Sequence, residues 1–177
     1  VSLLLQQPSG PGDRDLGVRS MLCGVASLPA HTRSTFVERF GVGVLEFYAS
    51  TEANAVLANA SGKKVGSCGR PLPGAPQIAI AAWNFDDDDF VRDGHGYLVP
   101  ARIDEPGMLV AKLDARGGAD IAHIDPKRLL RDAFGADDVW FVTGDFLRVD
   151  IEGDYYFVDR AGQMIATAHG PVASTRV

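Results

Sequence analysis

With 177 residues, 46% of them hydrophobic and 23% charged, the chain has the make-up of a soluble globular protein of one domain, or one and a fraction. Its 17 basic against 23 acidic side chains leave a formal charge of −6. That balance argues against nucleic acid as the main partner, because phosphate binding needs clustered basic residues. No apolar run reaches membrane-spanning length, and the opening VSLLL lacks the basic start and the length of a signal peptide. Cys23 and Cys68 form no metal motif and read as reduced thiols of a cytosolic protein. Val1 stands inside an apolar run and Val177 inside a segment, so both ends read as cut and a piece of a longer protein is expected.

Residues 7–15 (QPSGPGDRD) form a polar, turn-rich loop. Residues 18–25 read as a short buried strand that ends at Gly24. Residues 29–40 (PAHTRSTFVERF) read as a helix, with Pro29 in its first turn, Phe36, Val37 and Phe40 on its core face, and Gly41 as C-cap. Residues 42–48 (VGVLEFY) return to strand. A short helical turn capped by Ser50 or Thr51 is expected within residues 49–59. Residues 65–76 hold three glycines and three prolines, so no regular element is expected there. Residues 77–83 (QIAIAAW) form a strand, and Asp86, Asp87, Asp88 and Asp89 a solvated loop. Those aspartates lack the spacing and closing Glu of a calcium-binding EF-hand. Residues 107–113 (GMLVAKL) form another strand. Residues 125–134 (DPKRLLRDAF) read as a short helix with Asp125 at the N-cap and Pro126 at N1, stopped by Gly135.

Residues 139–160 (VWFVTGDFLRVDIEGDYYFVDR) carry two runs of alternating residues around Glu152-Gly153-Asp154, the pattern of a β-hairpin. Thr143-Gly144-Asp145 opens the hairpin and Asp159-Arg160 closes it. Strand pairing therefore brings a carboxylate and a guanidinium to one edge of the sheet. Such a pair can grip sugar hydroxyls, the carboxylate accepting and the guanidinium donating. The other reading is a rim ion pair on a surface hairpin, worth little.

Several familiar sites are absent from the sequence. There is no G-x-S-x-G serine elbow. Gly62-Lys63-Lys64 lacks the upstream glycine of a phosphate loop, and Gly41-Val42-Gly43 does not extend to G-x-G-x-x-G. His31, His95, His123 and His169 lack ligand spacing. The informative stretch is residues 46–54 (EFYASTEAN), where a strand delivers an aromatic, small residues, a hydroxyl and a carboxylate. Tyr48 could stack on a base, Thr51 could bond a phosphate oxygen, and Glu52 could hold Mg²⁺ as a hard oxygen ligand. An ordinary cap after a strand is the plainer reading.

EFYASTEAN resembles the Y-G-[AS]-T-E motif of the adenylate-forming superfamily. GKKVGSCGRPLPG (62–74), EPGMLVAKL (105–113) and WFVTGDFLRVDIEGDYYFVDRAG (140–162) follow in that family's order. The nearest look is to the fatty-acid-transport-protein branch, the very-long-chain acyl-CoA synthetases. The resemblance implies a strand-rich α/β fold: the C-terminal part of the large AMP-binding domain, with its sheet and distorted β-barrel, over residues 1–161, then a hinge at Gly162-Gln163 and the first hairpin of a truncated small domain over 162–177.

The same resemblance implies roles for single residues. Tyr48 would lie against the adenine, Thr51 would contact the α-phosphate, and Glu52 would bind Mg²⁺. Thr51 and Glu52 would be the catalytic pair. Asp145 would bind both ribose hydroxyls, Arg160 would reach ribose or phosphate, and Gly24 would open an adenine-side loop running to Ser27. The implied substrates are ATP, a long-chain fatty acid and CoA, with AMP as a bound product and no nucleic acid. The implied setting is cytoplasmic with peripheral membrane association, since members of this branch often work at membranes; no segment reads as an anchor.

Three departures stand out. The family's Ser/Thr/Gly-rich phosphate loop and its C-terminal lysine are not within these residues. The family's G-N-G-L look becomes Gly24-Val25-Ala26-Ser27. After the hinge, Gln163 replaces an aspartate and Pro171 an asparagine, and basic residues are missing. Adenylate binding thus keeps more of its residues than thioester formation does. Two functions follow: part of a fatty acyl-CoA synthetase, or a degenerate module that binds nucleotide or serves a structural role in a larger multifunctional protein.

Overall fold

A computed structural model describes residues 1–24, 28–53, 55–113, 124–165, 167 and 171–174. Two sheets pack face to face, with one substantial helix outside the first. The elements in order are α1 (Ser2–Leu5), β1 (Ser20–Gly24), α2 (Ala30–Phe40), β2 (Gly43–Ser50), β3 (Ala55–Ala58), β4 (Arg70–Pro71), β5 (Ile78–Asn84), β6 (Asp89–Phe90), β7 (Gly107–Lys112), β8 (Leu129–Arg131), β9 (Val139–Val149) and β10 (Tyr155–Arg160). The first sheet runs β1-β2-β3-β4, with β1 and β2 parallel and the other pairs antiparallel. The second is antiparallel and runs β10-β9-β7-β5-β6, with β8 also paired to β9.

The helix α2 forms where the spacing predicts it. Phe36 and Phe40 are buried against Val42 and Val44, and Gly41 closes it at φ +67° with its amide on the Val37 carbonyl. A left-handed cap of this kind favours glycine because no Cβ crowds the backbone. On β2 the burial alternates, with Val44, Glu46 and Tyr48 inward, as a period of two requires. Tyr48 joins Leu57, Cys68, Ile80, Leu109 and Leu147 in the core shared by the two sheets. The far face of the second sheet carries Met108, Val110, Trp140 and Phe146.

Four expectations are corrected. The helical turn expected in 49–59 is not formed: β2 runs on to Ser50 and, after a tight turn, β3 begins at Ala55. The alternating burial of Ala55 and Leu57 against the second sheet decides for strand. The loop at 65–76 contains a two-residue strand, β4, paired to β3, and Pro71 stands at the sheet edge, where a missing N–H is tolerated. The helix expected at 125–134 is a single 3₁₀ turn over Pro126–Arg128 followed by β8. Asp125 does cap that turn, accepting from the Lys127 amide. The helix stops because the free edge of β9 captures Leu129 and Leu130, while the Asp138 carboxylate takes the amides of Ala133 and Phe134 and the indole N–H of Trp140. Finally, β1 is not buried throughout, since Leu22 is 70% exposed.

The sheets are tied together by the loop before β4. Glu46, 4% exposed, accepts from the Gly66 amide, and the Asn59 side chain donates to the carbonyls of Lys64 and Ser67. The loop then bridges to β10: the Cys68 amide donates to the Tyr155 carbonyl and the Tyr155 amide to the Gly69 carbonyl, each at 2.8 Å. Gly69 sits at φ +84°, and a Cβ there would lie 2.0 Å from the Ala58 carbonyl oxygen. Lys64 adds ion pairs to Asp150, Glu152 and Asp154 in the turn of the β9–β10 hairpin. This lashing sets the end of β2 against the middle of β9, where the candidate site lies.

Candidate nucleotide cleft

The middle of β9 is irregular. Between Met108↔Phe146 and Val110↔Val142 the partner strand advances two residues while β9 advances four. The extra residues form a bulge around Gly144, at φ +79°. Bulges of this kind re-aim a side chain and are common beside functional sites. The Thr143 hydroxyl donates to the Leu109 carbonyl at 2.8 Å and accepts from the Asp145 amide at 3.2 Å. The bulge is thereby braced, and Asp145 is turned toward the first sheet.

Asp145 meets two partners. The Tyr48 hydroxyl donates to its Oδ2 at 2.7 Å, and Arg160 Nε lies 3.7 Å from its Oδ1. The hairpin register pairs Arg160 directly with Asp145, so the predicted convergence of carboxylate and guanidinium is found. Burial pushes the Tyr48 phenol up from its ordinary pKa of 10.0, and the Asp145 charge pushes it further.

Opposite the bulge, the turn after β2 supplies Thr51 and Glu52. The Thr51 hydroxyl donates to Glu52 Oε2 at 3.2 Å. The Glu52 carboxyl is held below its ordinary value, chiefly by its own backbone amide and then by the Thr51 hydroxyl and the Arg128 charge, with desolvation opposing. Thr51, Glu52, Asp145 and Arg160, with Arg128 and Gly144, line one cleft of about 340 Å³. Two carboxylates and two guanidiniums give the walls balanced charge and many polar atoms, which suits a sugar bearing an anionic group.

Tyr48 does not line this cleft: its ring is part of the inter-sheet core, the residue is 8% exposed, and its hydroxyl stands behind Asp145, to which it donates. Gly24 does not line the cleft. It closes β1 opposite Phe47, whose ring would be 2.5 Å from a Cβ at that position. The rest of its expected loop, 25–27, lies outside the described residues, as do Asn54, His123 and His169. His31 and His95 are exposed, and no cluster of three or more His, Cys, Asp or Glu suited to a metal occurs among the described residues. The residue that sequence reasoning missed is Arg128. Nothing in PKRLL marks it, because its place depends on where β8 and β10 end along β9.

Residues 1–99 match the family of AMP-binding enzymes; that is more than half of the 177 residues, and the chain belongs to this family. It is 34% identical to long-chain fatty acid transport protein 1 of Homo sapiens over 184 residues, which cover 98% of this chain and 28% of that protein. It is also 34% identical over 179 residues to the medium/long-chain-fatty-acid–CoA ligase FadD6 of Mycobacterium tuberculosis, covering 98% of this chain and 29% of the ligase. The chain thus spans under a third of the length of the curated relatives it matches. Among solved structures, the fold resembles ATP-bound MatB from Rhodopseudomonas palustris, with a TM-score of 0.67 at 21% identity, over 99% of this chain and 32% of that one. It also resembles a benzoate CoA ligase from Burkholderia xenovorans, with a TM-score of 0.64 at 24% identity, over 98% of this chain and 31% of that one. The strand-rich α/β architecture of an adenylate-forming ligase is therefore the fold of this chain.

Proposed function

We propose that the cleft is the nucleotide end of a fatty acid–CoA ligase that uses ATP to activate a long-chain fatty acid. The observation that carries this reading is the meeting of residues from separate motifs, Thr51 and Glu52 with Asp145 and Arg160, around one polar cleft. The relatives, a long-chain fatty acid transport protein and a medium/long-chain-fatty-acid–CoA ligase, supply the substrate class. In this reading Asp145 accepts the ribose hydroxyls through whichever oxygens Tyr48 and Arg160 leave free. Thr51 donates to the α-phosphate. Arg160, whose side chain is 60% exposed, folds over the ribose.

The fatty acid carboxylate attacks the α-phosphorus of ATP; the bond to pyrophosphate breaks and acyl-AMP forms. The CoA sulfur then attacks the acyl carbonyl, the thiol gives up its proton, and AMP leaves. Glu52 suits a magnesium ion, for its side chain is 54% exposed, offers a hard oxygen beside the Thr51 hydroxyl, and stays ionised. When bound, magnesium would supply charge neutralisation at the phosphates. We assign residues 1–161 to the large domain and 162–177 to the hinge and the start of a second domain. No described helix is long and apolar enough to cross a membrane, and we place the protein in the cytoplasm with peripheral membrane contact.

The test is fatty-acid-dependent release of pyrophosphate by the full-length chain, together with AMP binding by calorimetry. Release with a long-chain acid is expected. In Asp145→Ala, AMP affinity should fall by at least the ~1.5–3 kcal/mol of a charged hydrogen bond, a loss of about ten- to a hundredfold. AMP binding without any release would support the binding-only module instead. Unchanged AMP affinity in the variant would make the hairpin end structural.

A further inference from the structure

Along its outer edge β9 has a gap. The pairing with β8 stops at Phe141, and the pairing with β10 stops at Asp145. The carbonyls between would face the cleft unpaired, and buried or half-buried carbonyls need partners. Arg128 fills the gap. Its Nε donates to the Val142 carbonyl at 3.0 Å and its Nη2 to the Thr143 carbonyl at 2.7 Å. Its guanidinium lies over the Phe141 ring at 4.3 Å. Two hydrogen bonds and a stacked ring leave this planar group little freedom, and a flexible ammonium could not meet all three contacts.

The third corner, Nη1, is differently placed. Among the described residues its one charged neighbour is Glu52, with Oε1 at 3.6 Å, too far for a hydrogen bond. The Arg128 side chain is 36% exposed and lines the cleft on the Thr51–Glu52 side. Arg160 stands at the other end of the gap, beside Asp145. The cleft thus has one guanidinium pinned at its hydroxyl-and-carboxylate end and one loosely held at its Asp145 end.

We infer that Arg128 is a phosphate-binding residue of this cleft, with Nη1 the donor and the edge carbonyls of β9 holding the fork in place. The inference rests on the proposed nucleotide site and adds an orientation to it. The ribose lies at Asp145 and Arg160, and the phosphate lies between Thr51 and Arg128. Glu52 faces Nη1 across the cleft wall. A cation held by Glu52 would draw on that carboxylate's charge and leave Nη1 to an oxygen of the phosphate.

The test compares AMP with adenosine by calorimetry on the full-length chain, for the parent, Arg128→Gln and Arg128→Lys. Arg128→Gln should weaken AMP at least about tenfold, as the loss of a charged hydrogen bond implies, and leave adenosine unchanged. Arg128→Lys keeps the charge without the fork and should recover only part of the loss; it carries the comparison should the Gln variant fail to fold. Equal weakening of AMP and adenosine would make Arg128 a structural plug for the strand gap and overturn the inference, as would unchanged AMP affinity in either variant. A parent that binds neither ligand overturns the nucleotide site itself, and a parent that binds both while the variants treat them alike overturns the role of Arg128 alone.

Discussion

Replacing Tyr48 by Phe removes one oxygen and separates two roles that a single residue could fill. The ring is core, packed with Leu57, Leu109 and Leu147 between the sheets. The hydroxyl is a strut from β2 in the first sheet to Asp145 on β9 in the second, 97 residues away, at 2.7 Å. Phe keeps the ring and its packing, so the whole effect falls on the strut. A hydrogen bond to a charged group contributes about 1.5–3 kcal/mol. Asp145 keeps Arg160 nearby and its side chain is 17% exposed, so water can partly replace the lost donor and the lower half, about 1.5–2 kcal/mol, applies. For a chain of this size each kcal/mol moves Tm by about 2–4 °C, which gives a fall of about 3–8 °C at neutral pH. Thermal unfolding followed by circular dichroism reads this directly.

The same bond fixes a pH signature. The folded phenol is held above its ordinary pKa of 10.0, first by burial and then by Asp145. Above that pH the unfolded chain releases a proton that the folded chain retains, so stability falls as pH rises. The contribution is complete below pH 10 and is lost above it. Tyr48→Phe has no such proton and should show a shallower alkaline limb than the parent. Tm within about 1 °C of the parent and an unchanged alkaline limb would refute the strut. The ligand readout separates the roles further: adenine binding should survive in the variant, while adenosine, which needs an oriented Asp145, should bind less well.

Two other outcomes follow from the lashing between the sheets. Gly69→Ala places a Cβ 2.0 Å from the Ala58 carbonyl at a φ of +84°; the left-handed strain and the forced shift of β3 should together cost at least ~2 kcal/mol, read by urea denaturation. Asp150 is held below its ordinary 3.8, first by the Lys64 ammonium and then by the amides of Asp154 and Glu152 and the Tyr156 hydroxyl, with burial opposing. A depressed carboxyl contributes stability above its ordinary pKa and loses it as the pH falls through and below 3.8. Asp150→Asn should therefore be less stable than the parent at neutral pH and flatter below pH 4, and an identical acid limb would count against the Lys64 cluster.

How much of this was legible in the sequence depends on how local each cause is. The ends of the β9–β10 hairpin could be read because a period of two and a turn fix the register, and the register alone brings Asp145 to Arg160. Thr51 and Glu52 could be read because they follow directly from a strand. Two things could not. The hydroxyl bond from Tyr48 to Asp145 depends on the Gly144 bulge, and a single glycine inside a good strand pattern does not announce which side chain it re-aims. The reading of Tyr48 as a base-stacking ring followed the motif; the structure packs that ring with Leu57 and Leu147 in the core.

The misreading of residues 125–134 explains why Arg128 stayed hidden. The pattern KRLLRDAF satisfies helical spacing, and on a helix Arg128 would have been one more solvated base. Instead the edge of β9 takes Leu129, Leu130 and Arg131 as a strand, and Asp138 takes the amides that a helix would have used. Three residues of pairing are enough to start β8 opposite Phe141 and leave open the gap that Arg128 fills. The location of a charged group in this cleft is therefore decided by competition for a sheet edge. A variant that restores helix at this segment, such as Asp138→Ala, should withdraw Arg128 from the carbonyls of Val142 and Thr143 and weaken AMP without touching any group in the cleft. AMP binding at parental strength in that variant, with β8 lost by hydrogen exchange, would separate the guanidinium from the strand that places it and defeat the argument.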